Sequence, residues 1–526
     1  MFSSSLKITD TNDFIAPSLE CVVVDNKPML VETDGVGEVQ IQRPRGGVGP
    51  SMSVASASPG DSAVKISLHD CLACSGCVTS AETVLLEQQS IDQFHQMLAD
   101  PSKKVVVTLS NQSLASLAHK FGLEPRVLAR RLATALKSGG ARAVFDISVA
   151  SRIALVENAS EFERRFRGSR DPAGDKDPHG VNGLNGIGGR ECYGEPLPML
   201  TSSCPGWVLY VEKTHPHLIP YVSRVKSPQA IMGTLIKRFW CATEEVQLDP
   251  GDVFHVSVMP CYDKKLEAVR EELMVGSVPE TDCVLTTGEL ETWLDKYSSG
   301  WNTTSSAACA TSGDLDTLVI GAGGADIDIN NGPGSTIAAI TVGKTDAVES
   351  GGYMNFIYRI TQSQDRGYPM LSDAEVPMRT GRNPDVRECD LHLQNGRTLH
   401  FAILNGFRNI QGLVRKMKLQ KCTYDYVEVM ACPSGCVNGA GQLSPSPSDA
   451  SGQPRAPTQA ERDYALDAVR DSMRVCAHDN AEDAHINAQC VAIYRHWVAD
   501  SHREVFSTSL KSTASKAKQS VLTASW

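Results

Sequence analysis

The sequence lacks the two features that would assign the protein to a membrane or to nucleic acid. No apolar run approaches the roughly 18 residues that a membrane-spanning helix needs. The chain also lacks an excess of positive charge, because its 50 lysines and arginines face 61 aspartates and glutamates, which gives a net charge of −11. Phosphate groups repel such an acidic protein. We therefore expect no membrane span and no nucleic-acid partner.

An export signal is also absent from the sequence. The first 20 residues contain Asp10, Asp13 and Glu20, have no apolar segment, and are not the arginine-rich, acid-poor stretch of a transit peptide. We therefore predict a cytoplasmic protein. In a reducing compartment, closely spaced cysteines are more often metal ligands or catalytic thiols than disulfide partners. The positions of the 16 cysteines are consequently the most informative feature of the chain.

The composition is that of a folded protein with several domains. Hydrophobic residues make up 41% and charged residues 21% of the 526 residues, which leaves ample material for buried cores. At about 150 residues per domain, the length predicts three or four domains. Segments rich in glycine, serine or proline interrupt the chain as linkers or loop insertions. They are residues 35–61, 168–190, 298–335 and 444–458.

Between these segments, short β-branched runs alternate with stretches of helical periodicity. The predicted strands are residues 104–109, 143–147, 198–201, 253–259, 283–286, 400–404 and 424–430. The predicted helices are residues 112–137 with a break near 122–125, then 153–166, 228–240, 264–273, 410–419 and 459–475. This alternation predicts an α/β fold with parallel strands, in which ligands bind beyond the carboxyl ends of the strands.

The first group of cysteines has the spacing of an iron–sulfur motif. Cys71, Cys74 and Cys77 follow the pattern C-x2-C-x2-C, which bacterial ferredoxins use to hold a [4Fe–4S] cluster. A ferredoxin continues with x3-C-P, but here Ala81 stands in that place, so the fourth ligand must come from elsewhere. Cys21 is the only other cysteine before the first predicted strand. A zinc site, or core cysteines without a metal, are the alternatives.

A second group of cysteines is dispersed along the chain but repeats one local design. Cys204, Cys261, Cys432 and Cys436 each follow a predicted strand and precede or begin a helix or turn. Free backbone N–H groups at a helix start lower the pKa of a nearby thiol and stabilise an anionic metal–sulfur centre. Taken singly, each would more often be an inert buried thiol. Together they predict one site with four thiolates, and we expect the remaining eight cysteines to be structural.

At these residues the chain resembles a known family. The motifs TSSCPGW at residues 201–207, MPCYDKKLE at 259–267 and MACPSGC at 430–436 are similar, in order, to the three signatures of iron-only hydrogenases. With residues 13–21 and 71–82, the chain resembles more closely the hydrogenase-like cytosolic iron–sulfur assembly factors, which are also called nuclear prelamin A recognition factor-like proteins. The resemblance covers most of the chain and adds the nucleus as a second compartment.

The resemblance implies a fold and a division into domains. The fold is α/β, with a hydrogenase-like large domain of two α/β lobes around a buried Fe–S site and a small N-terminal ferredoxin-like module. The implied boundaries are 1–100 for the [4Fe–4S]-binding module with a flexible insertion at 35–61, 101–443 for the large domain with insertions near 168–190 and 298–335, 444–458 for a linker, 459–506 for a helical region, and 507–526 for a flexible tail.

The resemblance also implies two [4Fe–4S] clusters and their ligands. The N-terminal cluster would be held by Cys21, Cys71, Cys74 and Cys77. The second, buried between the two lobes, would be held by Cys204, Cys261, Cys432 and Cys436. The family further implies an iron–sulfur cluster-binding component of the cytosolic assembly machinery, which carries or transfers [4Fe–4S] clusters to a targeting complex for insertion into apo-proteins.

One departure from the hydrogenase pattern argues against hydrogen turnover, so we predict no catalytic residue. Hydrogenases carry two adjacent cysteines in the first signature, the earlier being a proton relay, and Ser203 stands there in this chain. A serine hydroxyl has a far higher pKa than the roughly 8.5 of a thiol. Lys264 is retained, either as a positive charge beside an anionic cluster or as a solvated lysine. An iron-only hydrogenase or related di-iron redox enzyme is the alternative, and a zinc-stabilised scaffold is a third.

The C-terminus predicts a site for a protein partner. Residues 507–520 are rich in serine, threonine and lysine, and the chain ends at Trp526. An aromatic anchor with a free carboxylate on such a tail suits capture by a partner, although a terminal tryptophan can also arise by chance. The resemblance implies that this partner is the cytosolic Fe–S targeting complex, with β-propeller and helical-repeat subunits, and that scaffold NTPases act upstream.

Overall fold

A computed structural model describes the central part of the chain. The described residues are 88–168, 195–243, 245–298, 301, 315–316, 318, 350–367, 376–445, 447–448, 453, 455–476, 480–494 and 503–512. The predicted ligands Cys21, Cys71, Cys74 and Cys77 lie outside them, as does Trp526. Among the described residues, no helix combines the length and the apolar character that crossing a bilayer requires.

The first of two main sheets is four-stranded and parallel. Its order is β2-β1-β4-β7, with bounds Ala143–Asp146, Lys104–Leu109, Val253–Met259 and Cys283–Thr286. Nearly every residue of these strands is buried, because both faces of the sheet are covered. Continuous runs of valine, leucine and other apolar residues are the sequence signature of such strands, and the predicted strands at residues 104–109, 253–259 and 283–286 are confirmed.

The second sheet has five strands and mixed direction. Its order is β3-β11-β10-β9-β8, with bounds Met199–Thr201, Tyr426–Met430, Thr398–Asn405, Val386–His392 and Arg379–Thr380. The strands β3, β11 and β10 are parallel, whereas β9 and β8 are antiparallel. The prediction of parallel strands is therefore wrong at this edge, where β9 has a largely polar, half-buried sequence that gave no strand signal. The short strands β5 (Met274–Val275) and β6 (Val278–Pro279) form a separate antiparallel pair.

Twelve α-helices in the described part of the chain complete the fold. In chain order, α1 to α6 are Ile91–Ala99, Asn111–Phe121, Pro125–Ser138, Ser148–Gly168, Pro205–Thr214 and Pro228–Thr234. The helices α7 to α12 are Asp263–Ala268, Thr287–Tyr297, Tyr353–Arg366, Phe407–Lys418, Gln459–Cys476 and Asn480–Ile493. The predicted helix over 112–137 is divided into α2 and α3, because Gly122 takes a left-handed φ of 59° and Pro125 starts the next helix.

The larger hydrophobic core lies between the two sheets. It includes Phe145 of β2 and Phe162 of α4 together with Phe401 and Tyr426 of the second sheet. The ring of Phe162 meets that of Tyr426 edge-on, with centroids 5.4 Å apart. A second core fills the outer face of the first sheet under α1, α2, α3 and α8. The sheets are thus held at a fixed separation, and their strand ends can form one site.

Candidate metal centre

The four cysteines of the second predicted group lie after the ends of strands from both sheets. Cys204 follows β3 and is the N-cap of α5, and Cys261 follows β4 and precedes α7 by two residues. Cys432 and Cys436 follow β11. These thiols lie close enough together that the charge of one affects the pKa of another. The structure therefore brings all four residues to one place, at the carboxyl ends of parallel strands as the sequence predicts.

Ser202 fixes the position of Cys204. Its hydroxyl donates a hydrogen bond to the backbone oxygen of Val429 on β11 at 2.5 Å and accepts one from the backbone N–H of Cys204 at 3.0 Å. The cysteine that begins α5 is thereby fastened to the strand that leads to the other two cysteines of its sheet. No sequence signal identified this serine as a positioning residue.

The turn between Cys432 and Cys436 has a strained backbone, and a hydrogen bond to Asp385, outside the turn, stabilises it. Ser434 has a φ of 62° and Gly435 a φ of 82°, so two successive residues are left-handed. Only glycine adopts this conformation without cost, and for serine it is uncommon. The backbone N–H of Ser434 donates to the Asp385 carboxylate at 2.6 Å, which holds the turn in this shape. Strained backbone of this kind persists only where the surroundings enforce it, and it concentrates at functional sites.

Glycines allow the loops that carry the cysteines to pack closely. A Cβ on Gly439 would lie 2.3 Å from the backbone oxygen of Pro260, and one on Gly441 would lie 2.7 Å from the Cβ of Thr286. The backbone N–H of Gly441 donates to that same oxygen of Pro260 at 2.9 Å. Larger residues would push the loop after β11 away from the loop after β4. The glycines thus allow the loop that follows Cys436 to contact the loop that carries Cys261.

Burial is the largest cause of a raised pKa at all four thiols. It raises the pKa of Cys204 to about 12, with further contributions from the charges of Asp263 and Cys436. The pKa values of Cys261 and Cys432 lie well above their usual range for the same reasons, and that of Cys436 is also raised. Without a bound group the site therefore holds neutral thiols at physiological pH.

The sequence predicts that backbone N–H groups at helix starts lower the pKa of the thiols, but burial of the thiols has a larger, opposite effect. Backbone N–H groups of Trp207 and Ala431 do act on the sulfur of Cys204, and that of Ala440 acts on Cys432, each lowering the pKa. Desolvation of the thiolate is larger, so the expectation of a lowered pKa is wrong for the protein alone. The same N–H groups would stabilise the sulfurs once a metal has displaced the protons.

The donor set fits an iron–sulfur centre. All four cysteines are free thiols, and thiolates are the ligands that both zinc and iron–sulfur clusters use. In the described part of the chain, no group of three His, Cys, Asp or Glu side chains is arranged to hold a single metal ion. On the chemistry of the ligands alone, both zinc and an iron–sulfur cluster are compatible with the site.

Comparisons with known proteins decide the family. Residues 103–440 match the family described as the iron only hydrogenase large subunit, C-terminal domain. Cytosolic iron-sulfur assembly component 3 of Bos taurus is 40% identical over 453 residues, and protein NAR1 of Arabidopsis thaliana is 38% identical over 461 residues. Each alignment covers 84% of this chain and 84% of the relative. The chain belongs to the hydrogenase-like family of cytosolic iron–sulfur assembly factors.

Solved structures show the fold of this assembly-factor family member. An [FeFe]-hydrogenase described for its inactivation by oxygen has a TM-score of 0.59 and 24% identity, and it covers 81% of this chain and 99% of its own. A variant of HydA1 from Chlamydomonas reinhardtii has a TM-score of 0.58 and 24% identity, and it likewise covers 81% of this chain and 99% of its own. These matches confirm the α/β fold. At 24% identity they support no conclusion about function. The family relationship implies iron–sulfur chemistry, and the curated relatives are named as assembly factors rather than enzymes.

Lys264 is a buried cation beside the cysteines of this assembly factor. It is 7% exposed, its ammonium contacts the Glu267 carboxylate at 2.5 Å and the Ser227 hydroxyl at 3.1 Å, and its charge lowers the pKa of Cys436. The alternative of a solvated lysine is therefore wrong. Two further buried carboxylates, those of Asp263 and Glu428, act in the opposite direction and raise thiol pKa values. Burial also raises the pKa of Asp263 itself to about 7.

Ser203 shares a neighbour, Met430, with Cys436 and is hydrogen-bonded to Tyr353. Its hydroxyl is 3.9 Å from the sulfur of Met430, which is also 3.9 Å from the sulfur of Cys436. The buried hydroxyl of Tyr353 forms a hydrogen bond with Ser203. Tyr353 begins the long helix α9 and carried no signal in the sequence, because its role depends on a contact with a residue 150 positions away.

The raised pKa of Cys204 predicts an unusual pH dependence of alkylation. Because the thiolate reacts and the thiol does not, the alkylation rate of Cys204 in metal-free protein should rise about tenfold per pH unit from pH 7 to 10. Free cysteine, with a pKa of about 8.5, should level off above pH 9. Pulse alkylation followed by site-resolved mass spectrometry measures both rates. Limited access lowers the rate at every pH but leaves the slope unchanged, so a plateau for Cys204 below pH 10 would contradict the assignment.

Proposed function

We propose that Cys204, Cys261, Cys432 and Cys436 hold one [4Fe–4S] cluster. The observation that carries this proposal is the convergence of four free thiols that follow strands of both sheets. A bound cluster would supply a compact store of iron and sulfide that can be passed on or take up an electron. The family relationship supports iron–sulfur chemistry at this place.

The surrounding residues would bind, orient and shield that group. The strained turn at Ser434 aims Cys432 and Cys436 into the cavity, and Ser202 fixes Cys204. The N–H groups that act on Cys204 and Cys432 would replace hydrogen bonds from water at the sulfurs. Lys264 would offset part of the negative charge. The buried side chain of Met430, whose sulfur is 3.9 Å from that of Cys436, would give the group an apolar neighbour.

A second cluster belongs to the N-terminal module in this proposal. Cys71, Cys74 and Cys77 have the ferredoxin spacing, and Cys21 is the fourth ligand. The proposed domains are the ferredoxin-like module at 1–100, the two-lobed domain at 101–443, the linker at 444–458, the helical region at 459–506 and the tail at 507–526. The C-x2-C-x2-C spacing and the similarity to assembly factors over 84% of the chain support this arrangement.

The protein would act as a carrier in cytosolic iron–sulfur assembly, not as a hydrogenase. The names of its relatives support the pathway and the compartment, with the nucleus as a second location. Clusters would arrive from scaffold NTPases and pass to a targeting complex that recognises Trp526. Ser203 argues against hydrogen turnover, because its hydroxyl is bonded to Tyr353 and does not ionise near pH 7.

Iron content tests the two-cluster assignment. Anaerobically reconstituted protein should contain about eight iron and eight sulfide per chain, since each cluster has four of each. Cys71→Ala and Cys436→Ala should each remove about half, because each removes a ligand of a different cluster. Metal and sulfide analysis with EPR of the reduced protein measures this. Cys422→Ala, which changes a half-buried cysteine outside both groups, is the control and should leave the iron content unchanged. Full iron content in both ligand variants would refute the assignment.

Hydrogen evolution separates the carrier from the alternative enzyme. Matured protein mixed with reduced viologen under argon should produce no hydrogen above the buffer control, because Ser203 is a poor proton relay. Gas chromatography measures the product. Hydrogen production that is lost in the Cys436→Ala variant would instead establish an iron-only hydrogenase or a related di-iron enzyme.

The C-terminal tail can be tested by binding. Trp526→Ala should raise the dissociation constant for a purified targeting complex by about tenfold or more, because a buried aromatic anchor dominates such an interface. Trp526→Phe should retain part of the affinity. Tyr464→Ala removes an aromatic side chain that is 74% exposed on α11 and should bind like the unchanged protein. Equal affinity of all four proteins, measured by interferometry, would show that the tail is not the docking element.

A further inference from the structure

The chain returns to its own large domain after the last helix. Residues 503–512, called here the C-terminal strap, lie beyond the residues 103–440 that match the hydrogenase family. The backbone N–H of Thr508 donates to the oxygen of Arg224 at 2.7 Å, and that of Lys226 donates to the oxygen of Phe506 at 2.8 Å. The strap therefore pairs as a short antiparallel strand with residues 224–226.

Side chains anchor the strap as well as its backbone. Phe506 has no exposed surface and meets the ring of Tyr494 with centroids 6.3 Å apart. Leu510 packs on the core between the two sheets. Large apolar side chains buried in this way contribute more to docking than two backbone hydrogen bonds on an edge. The strap is consequently fixed to the large domain by side chains as well as by backbone hydrogen bonds.

One carboxylate joins the strap to the two helices that begin at the cysteines. Glu212 is 4% exposed, and its Oε1 accepts a hydrogen bond from the backbone N–H of Lys511 at 3.0 Å. The same carboxylate accepts two hydrogen bonds from Arg270, at 2.7 and 3.0 Å. Such a bidentate pair with little solvent around it fixes geometry more strictly than an exposed ion pair does.

The two residues of the Glu212–Arg270 pair are connected to different cysteines of the proposed site. Glu212 lies on α5, the helix that begins at Cys204. Arg270 lies two residues beyond α7, the helix that starts just after Cys261. The helices α5 and α7 pack against each other. A shift of either helix at the cysteine end would therefore move one half of the Glu212–Arg270 pair and disturb the acceptor of Lys511.

A second connection runs beside the first. The residues paired with the strap, 224–226, lead directly into Ser227, whose hydroxyl contacts Glu267 and accepts a hydrogen bond from Lys264 at 3.1 Å. Lys264 is the cation whose charge acts on Cys436. The strap is thus connected to the four-cysteine site by two routes, one through Glu212 on α5 and one through Ser227 and Lys264.

We propose that Glu212 is a positioning residue that couples the four-cysteine site to the C-terminal strap. A bound cluster fixes α5 and α7, which completes the acceptor for the strap, and a docked strap in turn holds the two helices in the geometry that retains the cluster. The proposal rests on the proposed function, because it needs a cluster at these cysteines. It adds to that function, because the anchoring of the C-terminal tail would depend on whether the cluster is bound. Coupling of this kind is reciprocal between the two sites.

Hydrogen exchange of the strap tests the coupling directly. In the unchanged protein, cluster loading should slow exchange of the amides of Thr508 and Lys511 by about fivefold or more. In Glu212→Gln, the ratio between apo and loaded protein should fall toward one. A merely structural glutamate would raise exchange in both states alike and leave the ratio intact. Glu163→Gln, which breaks an exposed ion pair with Arg167 on α4, should keep the full ratio.

Iron release tests the reverse direction with variants that leave Glu212 in place. Phe506→Ala should speed transfer of iron to a chelator several-fold, because a loosened strap no longer supports α5 and α7. A chain that ends at residue 512 keeps the strap and should release iron at the unchanged rate.

The outcomes separate this inference from the proposed function. Iron content that is unchanged by Cys436→Ala refutes the cluster assignment at the four-cysteine site itself. Loaded protein whose strap exchanges at the same rate as apo protein refutes the coupling alone, as does an unchanged release rate for Phe506→Ala.

Discussion

The four thiols between the two sheets impose the constraint on which the rest of the structure depends. As neutral groups they behave as small apolar side chains and cost little to bury. As thiolates they repel one another in surroundings that already contain the carboxylates of Asp263 and Glu428. The protein can therefore fold with the site protonated, and metal must displace the protons. A site of this kind is formed before its cargo arrives, which suits a protein that receives and passes on a cluster.

The topology explains why the site unites two sheets. In each sheet the parallel strands point their carboxyl ends toward the same cavity, and the loops there are free to carry ligands. Cys261 comes from the first sheet and the other three cysteines come from the second. Close approach of the loops requires Gly439 and Gly441, and the backbone N–H of Ala440 between them acts on Cys432. A group bound by all four sulfurs would consequently tie the two sheets together.

Local patterns predicted the parts of this structure that local forces determine. The strand at 253–259 was evident because a β-branched run buried on both faces has no other stable environment. The cysteine positions followed from strand-to-helix junctions within a few residues. The antiparallel strand β9 and the π-helical turn Leu235–Phe239 after α6 were not evident, because neighbours distant in sequence determine them. The same holds at the site for Ser350, whose hydroxyl accepts a hydrogen bond from the backbone N–H of Cys436 at 3.1 Å.

Electrostatics then indicate what would have to keep a cluster in place at the proposed site. Among the described residues, the buried carboxylates of Asp263 and Glu428 raise the pKa values of the thiols, and the cation of Lys264 acts in the opposite direction at Cys436. An iron–sulfide core is cationic before its thiolates are counted, so it is the kind of group that such an acidic cavity accepts. Once the thiolates are included the balance is negative again, and local charge does not hold the group. Retention of a cluster would then depend on geometry. The loops would have to stay closed, and the helices that begin at or just after Cys204 and Cys261 would have to keep their positions relative to each other. Contacts at the far ends of those helices therefore bear on the site as much as the residues beside it.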